Sequence, residues 1–206
     1  MSRAAAAHAA RARDGFVVGI ASSAGGVEAL LVLVAALPSK LAAAILIVQH
    51  ASATGGGRLP AILGRHCALP VRAAADGDGV VAGLVLVCPA GTHLLVRPGP
   101  RLGLSREAPV HFVRPSADML FESLARTCGG NAIAVVLSGA GTDGAAGVRA
   151  VKSAGGTVVV EDRTTAQFYG MPGAAIRSGA ADLVLPVQQI AAALVRLTVE
   201  ACHEPN

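Results

Sequence analysis

Short apolar runs recur along the chain, and each ends in Gly, Ser, Asp or His. Residues 16–20, 44–48, 71–73, 83–87, 132–137, 157–160 and 182–185 are rich in Val, Ile and Leu, with little polar alternation. A strand covered on one face alternates, whereas a strand covered on both faces reads as a continuous apolar run. The pattern therefore predicts strands of a buried parallel sheet. Between them lie segments of helical period. Residues 26–37 put Leu30, Leu31, Val34 and Leu37 on one face and stop at Pro38. Residues 58–67 form a second candidate, and 116–127 follow Pro115 with a Ser or Asp available as cap. Residues 145–154 end at Gly155-Gly156, a natural helix stop, and 188–198 read as a terminal amphipathic helix.

Strand–helix alternation of this kind predicts an α/β fold, an open, doubly wound, mostly parallel sheet flanked by helices. Residues 80–104 differ, because short apolar segments there are separated by the Pro98-Gly99-Pro100 turn. An antiparallel hairpin, as an insertion or a sheet edge, is expected. No internal repeat or linker divides the chain. The expected organisation is an Ala/Arg-rich tail over 1–14, one catalytic domain over 15–198 and a C-terminal tail over 199–206.

Hydrophobic residues make up 53% of the chain, which raises the question of a membrane. The longest apolar stretches, 29–37 and 41–48, fall well short of the roughly 20 residues a spanning helix needs. They are also separated by Pro38, Ser39 and Lys40. The first fourteen residues lack the apolar centre of a secretory signal. A cytoplasmic protein without membrane insertion is expected. The net charge of +4 is carried partly by Arg3, Arg11 and Arg13, and no basic run interleaved with aromatics points to nucleic acid. A mild basic balance favours acidic protein partners. Cys67, Cys88, Cys128 and Cys202 form no Cys-x-x-Cys pair, so neither a zinc site nor another metal or cofactor is expected.

In open α/β sheets, sites form beyond the carboxyl ends of strands. Ser23 follows the first predicted strand, His50 the second, and Asp143 the segment that ends at Leu137. These are the three residue types an activated hydroxyl needs. The serine attacks, the histidine takes its proton, and the carboxylate holds the imidazole and steadies its charge. Ala24-Gly25-Gly26 opens a helix directly after Ser23, so the Ala24 N–H would aim at an oxyanion forming there. The Gly139-Ala140-Gly141 loop offers a second donor, the Ala140 N–H. Taken singly, Ser22 or Ser23 reads as a helix cap, His50 as a structural strand-end residue, and Asp143 as the cap of the next helix. Three such residues at one sheet edge favour catalysis. A nucleotide site is disfavoured, because Gly-x-Gly-x-x-Gly and the phosphate-binding Lys are both missing. The order Ser, His, Asp and the lack of Gly-x-Ser-x-Gly disfavour an α/β-hydrolase.

At these residues the chain resembles the catalytic domain of the chemotaxis protein-glutamate methylesterase family, CheB. The resemblance rests on Ala21-Ser22-Ser23-Ala24-Gly25-Gly26, on Gln49-His50, and on Ser138-Gly139-Ala140-Gly141-Thr142-Asp143-Gly144. Pro89-Ala90-Gly91-Thr92-His93-Leu94, Arg114-Pro115-Ser116-Ala117-Asp118 and Tyr169-Gly170-Met171-Pro172 add to it. It spans about residues 15–197. It implies Ser23 as nucleophile, His50 as general base and acid, Asp143 as the orienting carboxylate, and Ala24 and Ala140 as oxyanion donors. The implied reaction is hydrolysis of glutamyl methyl esters on chemoreceptors or related sensory proteins, with deamidation of receptor glutamines in many members. A CheB-like binding module without catalysis, in a sensory signalling complex, is the alternative. Family members typically carry a receiver domain ahead of the catalytic one. Fourteen mostly Ala and Arg residues stand there instead, so control by a separate response regulator or kinase is expected. Ser22 replaces the usual Ala or Thr, residues 51–57 are smaller than the usual aromatic loop, and Arg163 stands where an acidic residue is common. The resemblance puts the last two at the rim of the site.

Overall fold

A computed structural model describes residues 15–50, 56–99 and 101–200. Seven parallel strands form the central sheet. They are β1 (Phe16–Ser22), β2 (Ala43–Gln49), β3 (Val71–Ala73), β4 (Val85–Val87), β7 (Ala132–Val136), β8 (Thr157–Glu161) and β9 (Leu183–Leu185), in the order β3-β4-β2-β1-β7-β8-β9. Each predicted strand is present. The remaining two strands, β5 (His93–Arg97) and β6 (Arg101–Ser105), pair antiparallel as a separate two-stranded sheet. The expected hairpin is therefore an insertion, and β3 and β9 are the sheet edges.

Among the described residues, six α-helices cover the sheet on both faces. Helices α1 (Gly26–Ala35), α2 (Leu59–Gly64) and α6 (Val187–Glu200) share a core with Val18, Ile20, Ile45 and Ile47. Helices α3 (Ala117–Cys128), α4 (Ala145–Ser153) and α5 (Gly170–Arg177), together with the hairpin, share the opposite core with Val17, Ala21, Leu46 and Val48. Neighbouring residues of one strand thus bury on opposite faces, which is why the strands read as unbroken apolar runs. Gly19 lets α3 press onto the sheet, because a Cβ there would meet Phe121 at 3.2 Å and Leu120 at 3.3 Å.

Two helices depart from the sequence expectation. The 58–67 candidate is a 3₁₀ turn over Gly56–Arg58 followed by the short α2. Helix α5 has no helical signature in the sequence, because two glycines and a proline fall among its eight residues. Burial of Met171, Ala174 and Ala175 holds it instead. Among the described residues, no helix is long and apolar enough to cross a membrane.

The chain leaves β1 in one direction toward β2 and returns from the hairpin and α3 to β7 on the other side of β1. Such a reversal of winding opens a crevice at the carboxyl ends of the two diverging strands. Ser23 follows β1, the Ser138–Asp143 loop follows β7, and His50 follows β2.

Candidate active site

Parallel pairing sets the three loops side by side. Ser22 is in register with Gln49, and Ala21 with both Val48 and Val136. The pairing continues beyond the strands, since His50 N–H donates to the Ser22 carbonyl and Ser23 N–H to the Ser138 carbonyl, each at 2.9 Å. Neighbouring β1 and β2 therefore bring Ser23 and His50 together although 27 positions separate Ser22 from Gln49.

The two adjacent serines have different environments. Ser22 is fully buried, and its hydroxyl donates to Gln49 Oε1. Ser23 is half-buried, and its hydroxyl has no hydrogen-bond partner among the described residues. Neither serine caps α1, because the cap position is Gly25, with φ 68° and no side-chain bond. A left-handed residue there needs glycine, and a Cβ would also meet Ser138 Oγ at 2.8 Å.

His50 pairs with the buried Asp143, their side chains 10% and 4% exposed. His50 Nε2 lies 2.7 Å from Asp143 Oδ2. Asp143 also accepts from Ser116 Oγ at 2.8 Å, Ala117 N–H at 2.6 Å and Asp118 N–H at 3.1 Å. It does not cap α4, whose cap is Gly144. It sits instead against the first amides of α3, where the helix dipole favours negative charge. Burial pushes its carboxyl up, but the bonds from His50, Ala117, Asp118 and Ser116 outweigh burial and hold it below the ordinary range. An ionised Asp143 fixes the Nε2–H tautomer of His50 and leaves Nδ1 as the basic nitrogen.

The oxyanion expectation concerns backbone groups. Among the described residues, the amides of Ala24 and Ala140 donate to no acceptor. Their loops are tied together through Ser138, which is fully buried. Ser138 Oγ donates to the Ala24 carbonyl at 2.8 Å and accepts from Phe168 N–H at 2.9 Å. Ser138 N–H donates to Glu161 Oε2 at 2.7 Å.

Sequence reasoning assigned no role to Gln49, Ser138 or Glu161, and it read Ser116 only as a candidate helix cap. Gln49 Nε2 donates to the carbonyls of Ser23 and His50, at 2.8 and 3.0 Å. The Arg114–Asp118 motif supplies the three donors to Asp143. In the Pro89–Leu94 motif, His93 is fully buried, and its Nδ1 accepts from Ser116 N–H at 3.1 Å. The Tyr169–Pro172 motif and the preceding Phe168 bond the Ala140 loop, since Gly139 N–H donates to the Phe168 carbonyl and Met171 N–H to the Gly139 carbonyl, both at 2.9 Å. The sequence signal for these supports was the motif grouping itself. Of the two expected rim features, Arg163 is exposed and stacks over Tyr169 at 5.1 Å. Residues 51–55 of the other lie outside the described residues.

A family profile described as CheB methylesterase matches residues 18–194. The chain belongs to the CheB methylesterase family. It is 45% identical, over 90% of its length, to a protein-glutamate methylesterase/protein-glutamine glutaminase of Moorella thermoacetica, of which it covers 45%. A protein of the same description from Anaeromyxobacter dehalogenans is 44% identical over 88% of this chain and 51% of its own length. The chain thus spans about half the length of these relatives. The crystal structure of the Thermotoga maritima CheB methylesterase catalytic domain superposes with a TM-score of 0.86 and 35% identity. The match covers 89% of this chain and 98% of that one. The fold is thus that of a CheB catalytic domain, with the two-stranded hairpin outside the main sheet.

Proposed function

We propose that this CheB-family chain is a serine hydrolase that removes methyl groups from glutamyl methyl esters on chemoreceptor-type signalling proteins. The observation that carries the reading is the His50–Asp143 pair, held by the amino end of α3 beside a half-buried Ser23 whose hydroxyl is unbonded among the described residues. In this reading Ser23 Oγ attacks the ester carbonyl while His50 Nδ1 takes its proton. The negative oxygen is met by the N–H groups of Ala24 and Ala140. Asp143 steadies the imidazolium. As the carbonyl reforms, the C–O bond to the methoxy group breaks, and His50 returns the proton so that methanol leaves. Water, activated by His50, then cleaves the glutamyl–Ser23 ester and restores the hydroxyl. An amide substrate follows the same steps and releases ammonia, which is the proposed deamidation of receptor glutamines. The same reading locates the chain in the cytoplasm.

Incubation with methyl-labelled receptor membranes tests this. Labelled methanol should be released by the wild type and not by Ser23→Ala. A wild type that releases none, or a Ser23→Ala variant that matches it, overturns the reading. Labelling of Ser23 by a fluorophosphonate separates an active hydrolase from a binding module of the same fold.

A further inference from the structure

Residues 110–113 form a two-residue turn. Val110 and Val113 exchange both backbone bonds, at 3.1 and 3.0 Å, and bridge antiparallel. The central residues, His111 and Phe112, have φ of 48° and 64°. Positive φ at both central positions defines a type I′ turn, which ordinarily takes Asn-Gly and disfavours large side chains. Phe112 is also 101% exposed, so it gains no burial from folding.

The turn is braced from several sides. Arg114 Nη1 donates to the carbonyls of Arg106 and Glu107, at 3.1 and 2.9 Å. His93 Nε2 donates to the Ala108 carbonyl at 3.2 Å, and His111 Nε2 lies 3.6 Å from Asp118 Oδ2. A large apolar ring is thus displayed at a conformational cost, on a fixed support, with no role inside the molecule.

Its position suggests the role. The turn runs directly into Ser116, Ala117 and Asp118, the residues that hold Asp143. On the Ser23 side, the exposed Phe168 is bonded to Ser138 and Gly139. The exposed Arg163, stacked over Tyr169, adds positive charge beside it. Phe112 and Phe168 are therefore exposed rings carried on chain segments that lead into or bond to the proposed machinery. A methyl ester is too small to reach such rings, whereas a protein segment carrying it is not. Aromatic side chains, phenylalanine among them, are enriched at protein interfaces relative to the rest of the surface.

Resting on the methylesterase reading, we propose that Phe112 determines specificity for the protein substrate. Its ring packs against apolar side chains of the acidic segment that bears the glutamyl ester.

The test uses the full chain as wild type, Phe112→Ala, Phe112→Leu and the double variant His111→Asn, Phe112→Gly. Methanol release from methylated receptor membranes is measured as kcat/KM and divided by the rate of Ser23 labelling with a small fluorophosphonate. The ratio should fall about tenfold for Phe112→Ala and the double variant, and less for Phe112→Leu, as for loss of an apolar anchor. The double variant relieves the turn, so its thermal midpoint should equal or exceed that of the wild type. Loss of substrate use without loss of stability separates recognition from misfolding. An active wild type with an unchanged ratio in Phe112→Ala overturns the inference alone. A wild type that releases no methanol removes the methylesterase reading and this inference with it.

Discussion

Gln49 stands in register with Ser22, and its side-chain N–H donates to the Ser23 carbonyl at 2.8 Å. With Ser22 bonded to Gln49 Oε1, one glutamine fixes the backbone of the turn and occupies the hydroxyl of the first serine. The second serine keeps a free hydroxyl among the described residues. Ser23→Ala should therefore abolish methanol release. Ser22→Ala should remain active but lose about 1–3 kcal/mol of stability, because it leaves a buried acceptor unpaired. Methanol release and urea denaturation of the two variants check this, and an inactive Ser22→Ala beside an active Ser23→Ala would reverse the assignment.

The Asp143 carboxylate ties α3 to the site, so its loss should weaken both fold and catalysis. Its folded pKa is depressed, so its stabilisation is present above the unfolded pKa and is lost as pH falls through the folded one. Asp143→Asn should be less stable than the wild type at neutral pH, and the gap should close in acid. Ser116→Ala removes both a bond to Asp143 and the cap bond to Met119 N–H, and should cost about 1–2 kcal/mol. Urea midpoints at neutral and acid pH measure both effects. A penalty for Asp143→Asn that is independent of pH would show that the carboxylate's charge is not what stabilises the fold.

Glu161 behaves with the opposite sign. It is fully buried, and burial outweighs its bonds from Ser138 N–H and Thr165 Oγ1, raising its carboxyl above the ordinary range. A raised folded pKa means that its contribution is fully present below the unfolded pKa and is lost as pH rises through the folded one. Glu161→Gln keeps an acceptor for Ser138 N–H without the buried charge. The variant should be more stable than the wild type at neutral pH, with the advantage shrinking in acid. Thermal midpoints across that range decide it, and a variant that is less stable throughout would show that the charged bonds outweigh burial.

Gly170 lies where the Tyr169–Pro172 motif touches the Ala140 loop. A Cβ there would meet Gly141 N at 2.8 Å and the Gly139 carbonyl oxygen at 3.0 Å. Both are backbone atoms, so the loop itself must move. Gly170→Ala should lose about 1–3 kcal/mol of stability, as overpacking does. It should also lower kcat more than it raises KM, because the displaced amide would act on the transition state. Steady-state methanol release measures the split, and an unchanged kcat would remove Ala140 from the oxyanion reading.

The central strands were legible because each buries two faces and reads as an apolar run, whereas the edge strands β3 and β9 are largely exposed and were marked only by a short apolar segment. The helix caps were legible as residue types but not as assignments. Ser116 does cap α3, whereas Gly25 and Gly144 take the positions for which Ser23 and Asp143 were the candidates. A cap can be read from sequence only as a preference, and a positive-φ turn hands it to glycine. Helix α5 was invisible for a related reason, since its stability comes from burial rather than from helix-forming residues.

By itself the sequence determined the parallel α/β architecture, the residues at the strand ends and the family motifs that contain them. These depend on short-range chemistry: apolar continuity, glycine in turns and the order of polar types. Only the tertiary structure decided what holds them. The partner of Asp143 is a helix beginning 26 positions earlier, and Ser138 reaches 114 positions to the Ala24 carbonyl. Contacts at such separations depend on sheet order, and strand neighbours in a parallel sheet follow from how helices pack across both faces.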